Sequence, residues 1–280
     1  MVIKIYKPTS PGRRARRILK PDVAKKRPLR KLTKGLNKSV GRNNGRISTR
    51  HKQRGAKRLY REIDFLRDNA GISGVVASVE YDPNRGSNVA LINYANGDKR
   101  YILAPEGLHV GMKVEAGDSV EPTVGNCMAL SNIPLGMEIH NLEVNPGAGG
   151  ILVRGAGNYA QITAKEEKYV NVKLPSGEIK KFHKDCRATI GSLSNAEKRN
   201  IKIGKAGINR LKGKRPSVRG VAMSDPKHDH PHAGSYSTSG IGMSSPKTPW
   251  GKKARGVKTR KRKNTNYTVV KSRHDAKKRK

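Results

Sequence analysis

The distribution of charge along the 280-residue chain limits its folding more than any other sequence feature. Residues 1–60 carry a net charge of +20 and residues 61–200 one of −1, whereas residues 201–250 carry +7 and residues 251–280 carry +13. Like charges at this density repel one another, so we expect two extended arms that become ordered on a polyanion. Nucleic acid supplies dense phosphates, and release of their counterions drives binding. The alternative is that the first arm is only a solvated tail and does not bind nucleic acid.

The composition argues against several classes of protein. No stretch approaches the roughly 20 apolar residues of a membrane-spanning helix, so no membrane partner is predicted. The two cysteines, Cys127 and Cys186, are too few for a secreted disulfide scaffold. The first residues lack the long apolar segment of a signal peptide. We therefore expect a cytoplasmic, reducing environment.

The neutral centre has the pattern of two small β barrels, which makes the predicted fold class mainly β. Strand-like runs at 75–81, 88–94 and 99–104 surround an Asn96-Gly97 turn, which is a strong hairpin signal. A second set lies at 137–144, 160–164, 169–174 and 179–182. We expect a basic arm over 1–60, an OB-fold-like barrel over 61–125, an SH3-like barrel over 126–200 and a basic, glycine-rich arm over 201–280.

Two short motifs have ordinary structural interpretations. Residues 155–160 match a dinucleotide-binding glycine pattern, but strand-like residues follow where that motif requires a helix, which favours a turn. His183 and Cys186 have the spacing of half a metal site, and nothing supplies the other half, which favours buried core residues. No metal site or cofactor is predicted, apart from magnesium that accompanies RNA.

The sharpest local cluster is His228-Asp229-His230-Pro231-His232. Three imidazoles and a carboxylate suit metal binding or general acid–base chemistry, so a hydrolase or metal enzyme is a second hypothesis. In an extended segment, however, alternate side chains point to opposite sides and do not meet at one ion. We favour a loop presented to folded RNA, where imidazole stacks or forms hydrogen bonds.

Basic runs at 252–255 and 258–263 do not by themselves distinguish DNA from RNA. A nonspecific DNA-compacting protein is therefore a third hypothesis. Two arms on a β body, without a helix-turn-helix or zinc-finger pattern, favour a structured RNA.

Several segments resemble the universal large-subunit ribosomal protein two family, bacterial type. The resemblance spans nearly the whole chain in collinear order, and it is carried by the residues 7–14, 41–46, 50–52, 57–61, 81–85, 99–105, 174–178, 204–207, 215–223, 229–232 and 248–251.

The resemblance implies an OB-fold barrel followed by an SH3-like barrel, with both arms buried in large-subunit ribosomal RNA. It implies a structural, non-enzymatic constituent of the large subunit that supports subunit association, tRNA binding and the peptidyl transferase region. The implied partners are this RNA, small-subunit RNA at the subunit interface, tRNA indirectly, and other ribosomal proteins. His230 matches a histidine once proposed to act in peptidyl transfer; because RNA is the catalyst, an organising role is expected.

The basic arms and this resemblance together give the predicted RNA-binding residues: Arg13, Arg14, Arg42, Asn43, Asn44, Arg46, Arg50, His51, Lys52, Lys57, Arg58, Arg61, Arg85, Lys205, Arg215, Arg219, His230, His232, Trp250, Lys258, Arg260 and Lys261.

Overall fold

A computed structural model describes residues 2–20, 23–24, 26–36, 40–223, 230–234, 244–273 and 275. Strands account for 32% of the structure and helices for 8%, which confirms the predicted β class. The chain divides into two compact units. The first unit comprises Met1–Asn37, Lys57–Ala206 and Thr265–Lys280, and the second comprises Lys38–Ala56 and Gly207–Asn264.

The first unit begins with a hairpin that the sequence pattern did not indicate. Strand β1 (Val2–Ile5) pairs with β2 (Arg17–Lys20), and the short helix α1 (Pro11–Arg14) lies between them. Proline suits the first turn of a helix because its φ is already fixed and its missing N–H is not needed there. Arg17 exchanges backbone hydrogen bonds of 2.9 and 3.1 Å with Lys202, so this part of the arm is attached to a distant segment of the same unit.

A four-stranded antiparallel sheet forms the first β body. Its strands are β7 (Gly74–Glu80), β8 (Val89–Tyr94), β9 (Lys99–Leu103) and β10 (Lys113–Val114), in the order β10-β7-β8-β9. The β8–β9 hairpin confirms the turn predicted at Asn96-Gly97, where Gly97 has a φ of 88°. Buried side chains of alternating strand residues, including Val76, Ile92 and Ile102, form the core of this body.

A seven-stranded antiparallel sheet forms the second β body. Its strands are β11 (Cys127–Ala129), β12 (Glu138–His140), β15 (Ala160–Lys165), β16 (Tyr169–Lys173), β17 (Ile179–His183), β18 (Arg187–Ile190) and β19 (Val269–Lys271). Their order in the sheet is β11-β18-β12-β15-β16-β17-β19. Buried Ile139, Ile162, Val172 and Ile190 belong to its apolar core. Strand β19 comes from the C-terminal arm and covers the outer edge of β17.

The prediction of one continuous strand over 137–144 is wrong. It divides into β12 and β13 (Leu142–Glu143), and β13 pairs with β14 (Gly150–Leu152) in a separate sheet. Asn141 lies between them with a φ of 51°. Asparagine tolerates this left-handed conformation better than most residues, and the resulting bend sends the chain from one sheet to the other.

The remaining elements are short. Strand β3 (Thr33–Gly35) pairs with β6 (Leu59–Arg61), and β4 (Arg42–Asn43) pairs with β5 (Arg46–Ile47). Helix α2 spans Ala206–Leu211, and 3-10 helices span Arg30–Leu32, Ala196–Asn200 and Gly220–Ala222. Within the described ranges, no helix has both the length and the apolar character needed to cross a membrane.

Candidate nucleic-acid interface

A buried carboxylate organises the loop that follows β7. The Asp82 side chain is fully buried, with one oxygen 2.5 Å from Nε of Arg85 and the other 3.5 Å from Nη1 of Arg61. The backbone N–H of Asn84 donates to the same carboxylate across 2.8 Å, a local bond typical of an Asx turn. A buried charge requires such partners. Arg61 is itself buried, so its guanidinium faces this ion pair, and the Arg85 side chain is only 15% exposed.

Two arginines that are far apart in the sequence meet at one aromatic ring. The guanidinium of Arg154 lies 4.4 Å from the centre of the Phe65 ring, and that of Arg85 lies 5.9 Å from it. Arg85 also lies 5.8 Å from the centre of the Tyr60 ring. A cation at this distance from a ring face is attracted by the ring quadrupole. Nε of Arg85 is already bonded to Asp82, whereas Arg154 is exposed. Sequence reasoning missed Arg154 and Phe65, because no spacing links residues so far apart.

Other cations lie beside this loop. Arg58 donates from Nη1 to the carbonyl oxygen of Pro83 across 3.0 Å, and Lys198 donates from Nζ to the carbonyl oxygen of Arg85 across 3.2 Å. These long side chains are anchored to backbone carbonyls of the loop. Donors from the first arm, from the segment after β14 and from the segment after β18 therefore lie at this loop.

The N-terminal hairpin presents a second group of cations. Nζ of Lys4 and the guanidinium of Arg13 each lie 5.4 Å from the centre of the Tyr6 ring, and the guanidinium of Arg16 lies 4.7 Å from it. A methyl group at Gly12 would lie 2.8 Å from Cε of Lys205, so Lys205 packs directly on this hairpin. The predicted residues Arg13 and Lys205, far apart in sequence, thus lie together, and Arg14 is exposed beside Arg13.

In the second unit, the β4–β5 hairpin carries Arg42, Asn43 and Arg46, all exposed. Asn44 and Gly45 have φ values of 47° and 76° in its two-residue turn. Asn-Gly is the dipeptide best suited to a turn with two positive φ values. The expectation of a fully extended arm is therefore wrong at this point, although the dipeptide itself is a sequence signal for the hairpin.

The segment after this hairpin contacts the C-terminal part of the second unit. The backbone N–H of Arg215 donates to the carbonyl oxygen of His51 across 3.1 Å, and Lys52 forms a β bridge with Lys214. The guanidinium of Arg50 lies 6.0 Å from the ring centre of Trp250, whose side chain is 79% exposed. An exposed indole with a cation above it suits stacking on a nucleic-acid base.

Two histidines of the 228–232 cluster, His230 and His232, form a compact pair. Their ring centres are 5.4 Å apart, and the backbone N–H of His232 donates to Nδ1 of His230 across 3.2 Å. His232 is buried, and its Nε2 accepts a 2.8 Å hydrogen bond from the backbone N–H of Lys247. A Cβ atom at Gly220 would overlap the imidazole of His230. These bonds fix a loop; residues 228 and 229 lie outside the described residues.

The remaining predicted residues are exposed. Lys57 and Arg219 are exposed, and residues 258–261 have no regular secondary structure. Across the part of the chain that the structure describes, no group of three or more His, Cys, Asp or Glu side chains is placed to hold a metal ion.

Two models of known protein families match most of the chain. Residues 29–116 match the family described as ribosomal proteins L2, RNA-binding N-terminal domain, and residues 123–251 match ribosomal proteins L2, C-terminal domain. The chain belongs to the ribosomal protein L2 family. It is therefore a ribosomal protein with an RNA-binding N-terminal domain, a constituent of the large subunit that binds ribosomal RNA. Membership confirms the predicted OB-fold and SH3-like barrels with basic arms.

Proposed function

We propose that this L2 family member is a primary binder of large-subunit ribosomal RNA that supports subunit association, tRNA binding and the organisation of the peptidyl transferase region. Its further partners are small-subunit RNA at the subunit interface and, indirectly, tRNA. It acts in the cytoplasm as a structural component, and the chemistry of peptide-bond formation belongs to the RNA.

The meeting of Arg85 and Arg154 at Phe65 carries this proposal. Guanidinium groups bind phosphate with two parallel hydrogen bonds, and a ring that fixes their position lowers the entropy lost on binding. Arg85 follows β7 and Arg154 follows β14, so a single RNA strand that binds both would connect these two segments. Arg58 and Lys198 beside the loop extend the same cationic surface.

The geometry around His230 supports an organising role rather than catalysis. Nδ1 of His230 accepts a backbone hydrogen bond, and Nε2 of His232 accepts another. A general base needs an available nitrogen next to its substrate, whereas these two nitrogens hold the loop together.

The direct test is the affinity of the full chain for purified large-subunit ribosomal RNA. We expect Arg154→Ala to weaken binding about tenfold or more, since a hydrogen bond to a charged group contributes roughly 1.5–3 kcal/mol. The slope of log Kd against the logarithm of the salt concentration should also decrease, by the amount that corresponds to about one phosphate contact. Lys113→Ala removes an exposed charge from β10 and serves as the control. Equal losses in the two variants would contradict the proposed site.

Salt and competition experiments separate RNA recognition from nonspecific DNA compaction. If six to ten phosphates are neutralised, affinity should fall about 10³–10⁵-fold between 50 and 200 mM salt. Folded large-subunit RNA should compete far better than duplex DNA of equal length. A flat salt response, or equal competition, would count against the proposal.

The finer roles require assembled particles. Large subunits reconstituted with wild-type protein or with the Arg219→Ala or Lys205→Ala variant can be compared for incorporation, association with small subunits and tRNA binding. We expect both variants to incorporate less well while the isolated proteins melt cooperatively as the wild type does. Loss of cooperative melting would show instead that these residues maintain the fold.

A further inference from the structure

The second unit contains a cavity of about 310 Å³ between the β4–β5 hairpin and the segment after α2. Its wall is closed by backbone hydrogen bonds. The N–H groups of Ser48 and Thr49 donate to the carbonyl oxygen of Gly41 across 2.8 and 3.0 Å, and the N–H of Arg215 donates to the carbonyl oxygen of His51. A Cβ atom at Gly41 would lie 2.6 Å from the carbonyl oxygen of Thr49, so this close approach requires glycine.

The charge of this cavity selects an anion. Four cationic side chains line it, Arg42, Arg50, Lys52 and Arg215. The second unit has 21 lysine and arginine residues against two aspartates, and its described residues include no Asp or Glu. The lining cations therefore have no carboxylate counter-ion within the described part of their own unit. Cations gathered in this way favour a phosphate.

The same cavity also has an apolar wall. Val40, Ile47 and Pro216 line it beside the arginines, and the Ile47 side chain is 62% exposed. Apolar side chains at this position suit the flat face of a base. A volume near 300 Å³ is at the small end of ligand cavities, which is enough for one nucleotide but not for a duplex. Bases in a helix are stacked and hidden, so the ligand must be unstacked.

Two other cavities of the described chain contain carboxylates. One of about 540 Å³ includes Glu106 and Glu197 in its wall, and one of about 320 Å³ includes Glu62, Asp64 and Asp98 together with Lys99 and Arg100. Carboxylates repel phosphate, so these cavities do not suit the same ligand.

We infer that the cavity lined by Arg42, Arg50, Lys52 and Arg215 binds one unstacked nucleotide of ribosomal RNA. The cations hold its phosphate, and Val40, Ile47 and Pro216 contact its base. This inference rests on the proposed RNA-binding function and gives it a defined site for a single-stranded or bulged residue.

The test uses the full chain and three probes: an oligouridylate of roughly eight nucleotides, a base-free sugar–phosphate chain of the same length, and UMP. Wild-type protein should bind oligouridylate about tenfold more tightly than the base-free chain, because one base contact contributes roughly 1–3 kcal/mol. Val40→Trp fills the cavity and should remove most of this difference while leaving affinity for the base-free chain unchanged. Val257→Trp places the same indole on an exposed position of the same unit and should not reduce the difference.

A second variant tests the same cavity in case Val40→Trp does not fold. Arg215→Gln, with melting curves as a check, should weaken oligouridylate binding several-fold more than Lys252→Gln, which removes an exposed charge of the same unit. UMP should bind at least about 100-fold more weakly than the oligonucleotide, because it lacks the neighbouring phosphates.

The inference is overturned if Val40→Trp keeps the wild-type preference for bases, or if Arg215→Gln and Lys252→Gln behave alike. UMP binding as tight as that of the oligonucleotide would also overturn it, since a free nucleotide would then be the ligand. The proposed function is tested separately. It would still hold after any of these results if the wild type binds large-subunit RNA and Arg154→Ala weakens that binding.

Discussion

Arg67 donates a hydrogen bond from Nη2 to the carbonyl oxygen of Gly125, 3.3 Å away, and so connects the two β bodies of the first unit. Its side chain is almost fully buried, and the same Nη2 also approaches the carbonyl oxygen of Glu115. The N–H of Gly125 donates in turn to the carbonyl oxygen of Ile190 in β18. Among the described residues, no carboxylate forms an ion pair with Arg67. Its Nη2 donates to backbone carbonyls, and its buried Nε has no hydrogen-bond partner.

Replacing this buried guanidinium should weaken the junction. We expect Arg67→Met to lower the free energy of unfolding by about 2 kcal/mol, because the buried carbonyl oxygen of Gly125 loses its donor, whereas that of Glu115 keeps the N–H of Cys127. Denaturant unfolding followed by circular dichroism measures the change. Arg199→Met replaces an exposed arginine and should change stability by less than about 0.5 kcal/mol. Equal effects would mean that Arg67 acts only through the net charge.

Stability should fall with acidification because of His140. Burial, with a smaller contribution from nearby Arg67, lowers the pKa of His140 to about 4 from its ordinary value of 6.5, although its hydrogen bond to the Gly191 carbonyl acts in the opposite direction. Between these two values the unfolded chain binds a proton that the folded chain does not. The stabilisation that comes from the neutral His140 is therefore complete above pH 6.5. It should be lost as the pH falls towards 4, which lowers the free energy of unfolding by about 3 kcal/mol in total.

Unfolding free energies measured across that pH range test this expectation. His140→Asn keeps a donor for Gly191 but does not titrate, so its stability should depend less steeply on pH. If the wild type and this variant show the same slope between pH 6.5 and 4, another group is responsible for the acid sensitivity.

Gly150 should not tolerate a side chain. A Cβ atom there would overlap the side-chain amide and the carbonyl oxygen of Asn141, the residue at which the chain passes between sheets. We expect Gly150→Ala to destabilise the protein by about 1–3 kcal/mol, as overpacking does elsewhere. Gly35→Ala is the matched control on a strand, because nothing lies within 4 Å of the position that its methyl group would occupy. Thermal melting of both variants distinguishes the clash from a general effect of alanine.

The C-terminal strand should protect the edge of the second β body. The N–H of Lys181 in β17 donates to the carbonyl oxygen of Thr268 just before β19, across 2.7 Å. Deleting residues 265–280 should therefore accelerate hydrogen exchange at Lys181, while amides that pair β17 with β16 stay protected. Unchanged exchange at Lys181 would show that this pairing does not persist in solution.

The charge pattern, the Asn96-Gly97 hairpin and the division into short strands were predictable because each depends on residues near one another in sequence. The β4–β5 hairpin also had a local signal in Asn44-Gly45, which the high charge of the arm obscured. The break at Asn141 was not predictable from alternation of apolar and polar residues, since a single left-handed residue decides it.

The sequence by itself determined a mainly β protein with two cationic arms, because strand periodicity, turn residues and charge density are local properties. Only the tertiary structure decided that Arg154 lies against Phe65, that Arg67 connects the β bodies, and that β19 returns to β17. Each of these contacts joins residues far apart in the chain. Their positions depend on how the sheets pack, and no local preference encodes that packing.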